Sequence, residues 1–160
     1  MEYSCKFRIY PNVEQQTLIQ KTFGCARFVY NHFLAQRIAE YKTTGKSPTR
    51  FQQDKALTVL KQEIDWLREP DKCALQNSLK DLDTAHKNFF RSVKGGGKVG
   101  FPKFKSKRDR HKSYKTNSNI AVFDKHVRLP KLGLVKCRIS KEVKGRILSV
   151  TVSQNPSGKY

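Results

Sequence analysis

The sequence is short of acid. Its 160 residues hold 33 Lys or Arg against 13 Asp or Glu, a formal net charge of +20 with a pI near 10.1. The shortage is local. Between Arg91 and Arg146 there are 18 basic residues and only three acids, Asp109, Asp124 and Glu142, so this segment alone supplies +15. Such a field repels itself unless a polyanion is present, which makes nucleic acid the default partner. No basic helix with a clean apolar face is evident, which argues against an anionic membrane surface. No apolar run approaches the ~20 residues of a membrane span. The start, MEYSCKFRIYPN, lacks the apolar core of a signal peptide. A cytoplasmic, nucleoid-associated protein with reduced thiols is therefore expected. The four cysteines stand singly, with no C-x-x-C pair. A zinc knuckle is unsupported, and buried free thiols are expected instead. No cofactor is implied.

What is present is organised around Lys87–Lys112, KNFFRSVKGGGKVGFPKFKSKRDRHK. It reads as a helix end, a glycine joint at Gly95–Gly97, then a cationic track with interleaved aromatic rings. Charge suits phosphates, and flat rings suit bases or sugars. The plainer alternative is a solvated loop whose Phe residues plug a core. The glycine run has no Walker-type ending and no preceding strand, so it reads as a flexible joint. Lys87, Arg91, Lys98, Lys103, Lys105, Lys107, Arg108 and Lys112 are the candidate backbone contacts.

Before this track the pattern is helical. Tyr3–Tyr10 alternates and predicts a strand. Asn12 is placed to cap a helix over Val13–Phe23, and Gly24 to end or bend it before a second helix, Cys25–Lys42. Two helices meeting at a glycine resemble a helix-turn-helix, with Arg27, Asn31 or Arg37 as candidate DNA contacts. Any small helical bundle shows the same pattern. Thr49-x-x-Gln52 has the form of a capping box before a helix to Ile64. Trp66-Leu67 is expected to pack against its neighbours. Pro70–Val93 carries the clearest stripe: Leu75, Leu79, Leu82, His86, Phe89 and Val93. Its other face carries Lys72, Gln76, Asn77, Lys80, Lys87 and Arg91. Amides beside cations suit base edges and phosphates, though an ordinary wet face would look alike.

After the track, Ser113–Ile120 reads as a polar turn or a loop presented to a groove. Ile120–Phe123, Val127–Leu129, Leu134–Arg138 and Arg146–Val152 read as strands. With Tyr3–Tyr10 they make about five, enough for a small barrel or curled sheet. The fold class expected is α+β: a small β-barrel, residues 1–10 and 101–160, split by an inserted helical lobe, residues 11–100.

Several segments together resemble a known family. They are RIYPN-x-x-Q at Arg8–Gln15, FGCARFVYN at Phe23–Asn31, DKCALQNSLKDL at Asp71–Leu82, KNFF at Lys87–Phe90, GFPKFK at Gly100–Lys105, LPKLG at Leu129–Gly133 and GRILSVTV at Gly145–Val152. In this order they resemble the N-terminal half of TnpB, the OrfB-type protein of insertion sequences, which is related to type V CRISPR effectors. The resemblance implies a wedge domain, a β-barrel split by a helical recognition lobe. It implies a guide-RNA complex that reads a short transposon-adjacent motif on double-stranded DNA, with guide pairing supplying specificity. It places Lys72, Gln76, Thr116 and Asn117 at motif-reading positions. Arg50 falls where relatives carry an aromatic. Family members continue into a RuvC-like nuclease with three metal-binding carboxylates and a four-cysteine zinc motif. The acids of this chain offer no such set, and two-metal cleavage needs clustered carboxylates. The expectation is a binding module without nuclease activity of its own, with a separate nuclease half as a further partner. A stand-alone basic helix-turn-helix DNA binder is the alternative.

Overall fold

The computed structural model describes residues Met1–Tyr160. The chain runs β1 (Arg8–Tyr10), α1 (Val13–Thr44), α2 (Arg50–Glu63), a 3-10 turn (Asp65–Arg68), α3 (Lys72–Lys94), then β2 (Lys112–Thr116), β3 (Ala121–Val122), β4 (His126–Leu129), β5 (Gly133–Arg138) and β6 (Val150–Gln154).

α1 is one helix of 32 residues, and Gly24 lies inside it. The expected break at Gly24 is therefore corrected. Burial explains the continuity. Ile19 and Phe23, before the glycine, pack into a sheet-side cluster with Tyr114, Leu129 and Val135. Val29, Tyr30, Phe33 and Leu34, after it, pack with Leu57, Leu67, Leu75 and Leu79. One continuous helix reaches both cores. An interior glycine costs about 1 kcal/mol relative to alanine, little against the burial of several large side chains. The helix ends where expected for a left-handed cap, at Gly45 with φ +73°.

The caps follow the sequence signals. The Asn12 carboxamide oxygen accepts from Gln15 N at 2.8 Å, and Gln15 Oε1 accepts from Asn12 N at 3.0 Å. Thr49 and Gln52 make the same reciprocal pair. Gln15 also donates through Nε2 to the carbonyls of Leu132 and Leu134, at 3.2 and 2.8 Å. The start of α1 is thus tied to the β4–β5 turn.

Four strands form an antiparallel sheet in the order β1-β5-β4-β3, and β2 pairs with β6 in a second sheet. The fold is α+β, but the expected closed barrel is not formed. Between β2 and β3 the chain bends through Asn119, at φ +53°, and β3 is only two residues long. On the other side Ile9 N donates to Tyr160 O at 3.3 Å, a single bond in place of a ladder. Two strand expectations are also corrected. β1 spans three residues rather than eight. Ser113–Thr116, the first half of the stretch read as a turn or loop, lies in the strand β2. It pairs residue by residue with β6, Tyr114 opposite Val152. Its alternation places Tyr114 and Thr116 inward. The polar run around them masked that two-residue period.

Arg37 crosses the helical core. It is 3% exposed; its Nε donates to Gln53 Oε1 at 2.9 Å and its Nη2 to Asp83 Oδ1 at 3.1 Å. Gln53 in turn donates to Phe33 O and Gln36 Oε1. This buried network joins α1, α2 and α3, so Arg37 is a structural residue and not a DNA contact.

Candidate nucleic-acid interface

The start of α3 packs on β2, and polar groups stitch the seam. Asp71 is the N-cap of α3: its Oδ1 accepts from Cys73 N at 3.2 Å. Its Oδ2 accepts from the Thr116 hydroxyl. Asn77 donates through Nδ2 to Lys115 O at 3.0 Å and to Asn117 Oδ1 at 3.3 Å. Burial, then the nearby Asp71 charge, pushes the Tyr114 phenol up, so it stays protonated.

These bonds bring four of the five motif-reading candidates to one place. Lys72 and Gln76, one turn apart on α3, are exposed beside the end of β2, where Asn117 is exposed too. Thr116 is different. It is fully buried, and its hydroxyl is spent on Asp71. Arg50 lies elsewhere, at the first turn of α2, paired with Asp54 at 3.4 Å. The preceding loop touches the other end of α3, where Ser47 Oγ meets His86 Nε2 at 3.5 Å. That is ten residues, about 15 Å, along the helix from Gln76.

The C-terminal half of α3 leads into the track. Lys87 Nζ pairs with Asp83 at 2.8 Å, and Arg91 donates to Asn88 Oδ1 at 2.9 Å. Burial raises the Asp83 carboxyl, but hydrogen bonds from Lys87 and Arg37 and their charges outweigh it and hold the group below its ordinary value. The glycines close a Schellman motif. Gly97 N donates to Ser92 O at 2.7 Å and Gly96 N to Val93 O at 3.3 Å, with Gly96 at φ +71°. A Cβ on Gly97 would sit 2.3 Å from Ser92 Oγ. The flexible joint expected here is instead a fixed helix stop.

The track that follows is tied down. Asn31 on α1 accepts from Lys105 N at 2.7 Å and donates to Lys105 O at 2.9 Å. Lys105 Nζ rests 4.4 Å from the centre of the Tyr30 ring. The acid within the track is used internally: Asp109 Oδ2 accepts from Ser106 N at 3.0 Å. Lys98, Lys103, Lys105, Lys107 and Arg108 are exposed, while Lys112 is half-buried at the start of β2. Of the two rings of the GFPKF segment, Phe101 packs edge-on against Phe89 at 5.2 Å yet is 38% exposed and belongs to neither core, and Phe104 is 56% exposed. Asn31, a candidate DNA contact on the helix pattern, is a clamp on the Lys105 backbone. The Asp71–Thr116 latch is signalled in the sequence only by its first member, since an Asp before a helix is a cap signal.

Five of the seven segments quoted above are joined to one another by hydrogen bonds. Gln15 of the first reaches the LPKLG turn. Ser78 of the long helix donates to Ala26 O of FGCARFVYN at 2.6 Å. Asn31 of that same segment clamps Lys105 of GFPKFK. Residues 1–46 match the model of the OrfB helix-turn-helix domain of the IS605 type. Over 159 residues, 97% of this chain, the sequence is 33% identical to InsQ of Escherichia coli (strain K12), described by name as an RNA-guided DNA endonuclease. It is 33% identical to the virulence protein VsdF of Salmonella dublin, across 64% of this chain and 91% of VsdF. The chain belongs to the TnpB/OrfB family. A Streptomyces pristinaespiralis protein, also named as an RNA-guided DNA endonuclease, is 34% identical over 64% of this chain. The chain spans 38% of the length of InsQ and 25% of the Streptomyces relative. In this TnpB-family chain, residues 1–46 comprise β1 and one unbroken helix, with no turn at Gly24. No group of three or more His, Cys, Asp or Glu is placed to hold a metal ion. No helix is long and apolar enough to cross a membrane.

Proposed function

We propose that these residues form a nucleic-acid-binding module that holds guide RNA and reads a short transposon-adjacent motif on double-stranded DNA. The observation that carries this reading is the clamped basic track leading, through β2, to the exposed polar seam of Lys72, Gln76 and Asn117. The track supplies phosphate contacts without sequence preference. The seam supplies what a base edge needs, since a Gln carboxamide can pair bidentately with adenine and a Lys with guanine. Thr116 serves from behind, holding Asn117 against α3 through Asp71. Arg50, at the far end of α3, contacts flanking backbone. The relatives' names support guide RNA as the second partner, with pairing between guide and target supplying the remaining specificity. In this reading residues 1–10 and 101–160 act as a wedge-like β unit and residues 11–100 as the recognition lobe. Strand cleavage belongs to residues outside these 160 or to a separate nuclease half. The stand-alone helix-turn-helix reading would need its turn elsewhere than Gly24, where α1 is continuous.

Purification from the native host without nuclease treatment, followed by sequencing of bound RNA, tests this. One enriched RNA mapping to the end of an insertion element is expected. RNA in proportion to cellular abundance would overturn the guide-binding part.

A further inference from the structure

On the side of α1 next to the clamp lies an open cleft of about 680 Å³, bounded by α1 and the 3-10 turn. Its size is in the range of small-ligand sites. Three rings form its wall. Phe28 meets Trp66 almost perpendicularly, centres 5.0 Å apart, and lies within 25° of parallel to His32 at 5.7 Å. Trp66, the chain's single tryptophan, packs on Phe28 as expected of it from sequence, yet remains 46% exposed. Its neighbour Leu67 fills the core instead, at 0% exposure.

The rim is polar and joined to the track. Asn31 lines the cleft and also clamps the Lys105 backbone. Arg27 lines it too and has no carboxylate partner, whereas Lys21 is neutralised by Glu69 at 2.9 Å. Glu69 disfavours a phosphate at that end, but as a paired acceptor it can receive a base N–H. The arrangement is rings for a π-face, an unpaired guanidinium and an acceptor at the rim, and a cationic strand path alongside. Single-stranded nucleic acids are bound by this combination.

We infer that this cleft is a stacking site for one unpaired nucleotide of an RNA or DNA strand whose backbone follows the basic track. A paired base cannot enter, because its faces are covered by its neighbours in the duplex. The inference rests on the nucleic-acid-binding reading above and adds a strand-state preference to it: an unpaired nucleotide gains a contact that a duplex does not.

The single tryptophan provides the test. The full chain is titrated with short oligoadenylate as RNA, as DNA, and with a covalently closed duplex. Binding is followed by anisotropy of the labelled nucleic acid and, separately, by Trp66 fluorescence. Single strands are expected to quench Trp66 on binding, and the closed duplex to bind without quenching. Quenching by only RNA or only DNA would identify which strand supplies the nucleotide. Trp66→Ala should weaken single-strand binding about tenfold and leave the duplex unchanged. Trp66→Phe should retain most of the affinity, and circular dichroism checks the fold of both. Single-strand binding without quenching, or equal quenching by the closed duplex, would overturn the inference while leaving the basic track in place. Absence of binding by anisotropy to any of the three would overturn the nucleic-acid-binding reading itself.

Discussion

Asn31→Ala separates the geometry of the track from its charge. Asn31 makes two hydrogen bonds to the backbone of Lys105, at 2.7 and 2.9 Å. Each such bond is worth about 0.5–1.5 kcal/mol net, so their loss should lower stability by about 1–2 kcal/mol at this partly exposed site. The track then retains the Lys105–Tyr30 contact and the Phe101 anchor. The cation–π contact adds only about 0.5–1 kcal/mol where exposed. Ordering even one released residue costs about 1–2 kcal/mol, so nucleic-acid affinity should fall about tenfold. Asn31 carries no charge, so the dependence of log K on log salt should keep its slope. Lys105→Ala should instead reduce that slope by about 0.7–0.9, the value of one phosphate contact. Anisotropy titrations at several salt concentrations measure both quantities. Unchanged affinity in Asn31→Ala, or a slope lowered as much as in Lys105→Ala, would refute the clamp.

Other consequences of the fold are equally direct. Gly24→Ala should stabilise the chain by up to about 1 kcal/mol in urea denaturation, because the site is helical interior and a Cβ would meet only the Arg27 side chain at 3.8 Å; a turn at Gly24 would make the same change destabilising. Asp83→Ala leaves the Arg37 guanidinium, 3% exposed, without its counter-ion, and should cost about 3–5 kcal/mol by the same measurement. Thr116→Val leaves a carboxylate oxygen of Asp71 without its partner. It should cost about 1–3 kcal/mol and blur motif preference, whereas a purely structural Thr116 would lower stability alone. His86 is held below its ordinary value of 6.5 by burial and then by the Arg37 charge, with Asp83 opposing. The unfolded chain therefore takes up this proton first on acidification. The stability tied to neutral His86 is full above the unfolded value and declines as pH falls through it towards the lower folded one. His86→Leu should lessen the drop in urea midpoint between about pH 7.5 and pH 5.5 that the parent chain shows.

Much of this was legible in the sequence because it is local. The Asn12 cap and the Thr49 capping box are spacing signals, and both are present, Asn12 with a reciprocal Gln15 bond beyond the cap expected. The stripe on α3 is a periodicity, and its first half, Leu75, Leu79 and Leu82, is buried, whereas His86 and Phe89 are half-buried and Val93 is 56% exposed. What was not legible depends on partners far along the chain. Gly24 looked like a boundary because glycine usually is one; only the two cores on either side carry the helix through it. Arg37 looked like a surface contact because its partners, Gln53 and Asp83, come from two other helices. β2 looked like a loop because its buried Thr116 is satisfied by a carboxylate 45 residues earlier. A count of strands and a family resemblance both suggest a barrel, but neither carries the bend at Asn119, the two-residue β3 and the lone Ile9–Tyr160 bond that leave two separate sheets.

The central claim is that charge on the track holds nucleic acid while Gln76 and its neighbours on the seam read sequence. The most direct test is selection of duplexes from a randomised library, at fixed salt, by the chain with its co-purified RNA and by its Gln76→Ala variant. The parent should enrich one short motif. The variant should keep comparable overall affinity but lose discrimination at one position of that motif. The same motif recovered by both proteins, or no motif recovered by the parent, would contradict it.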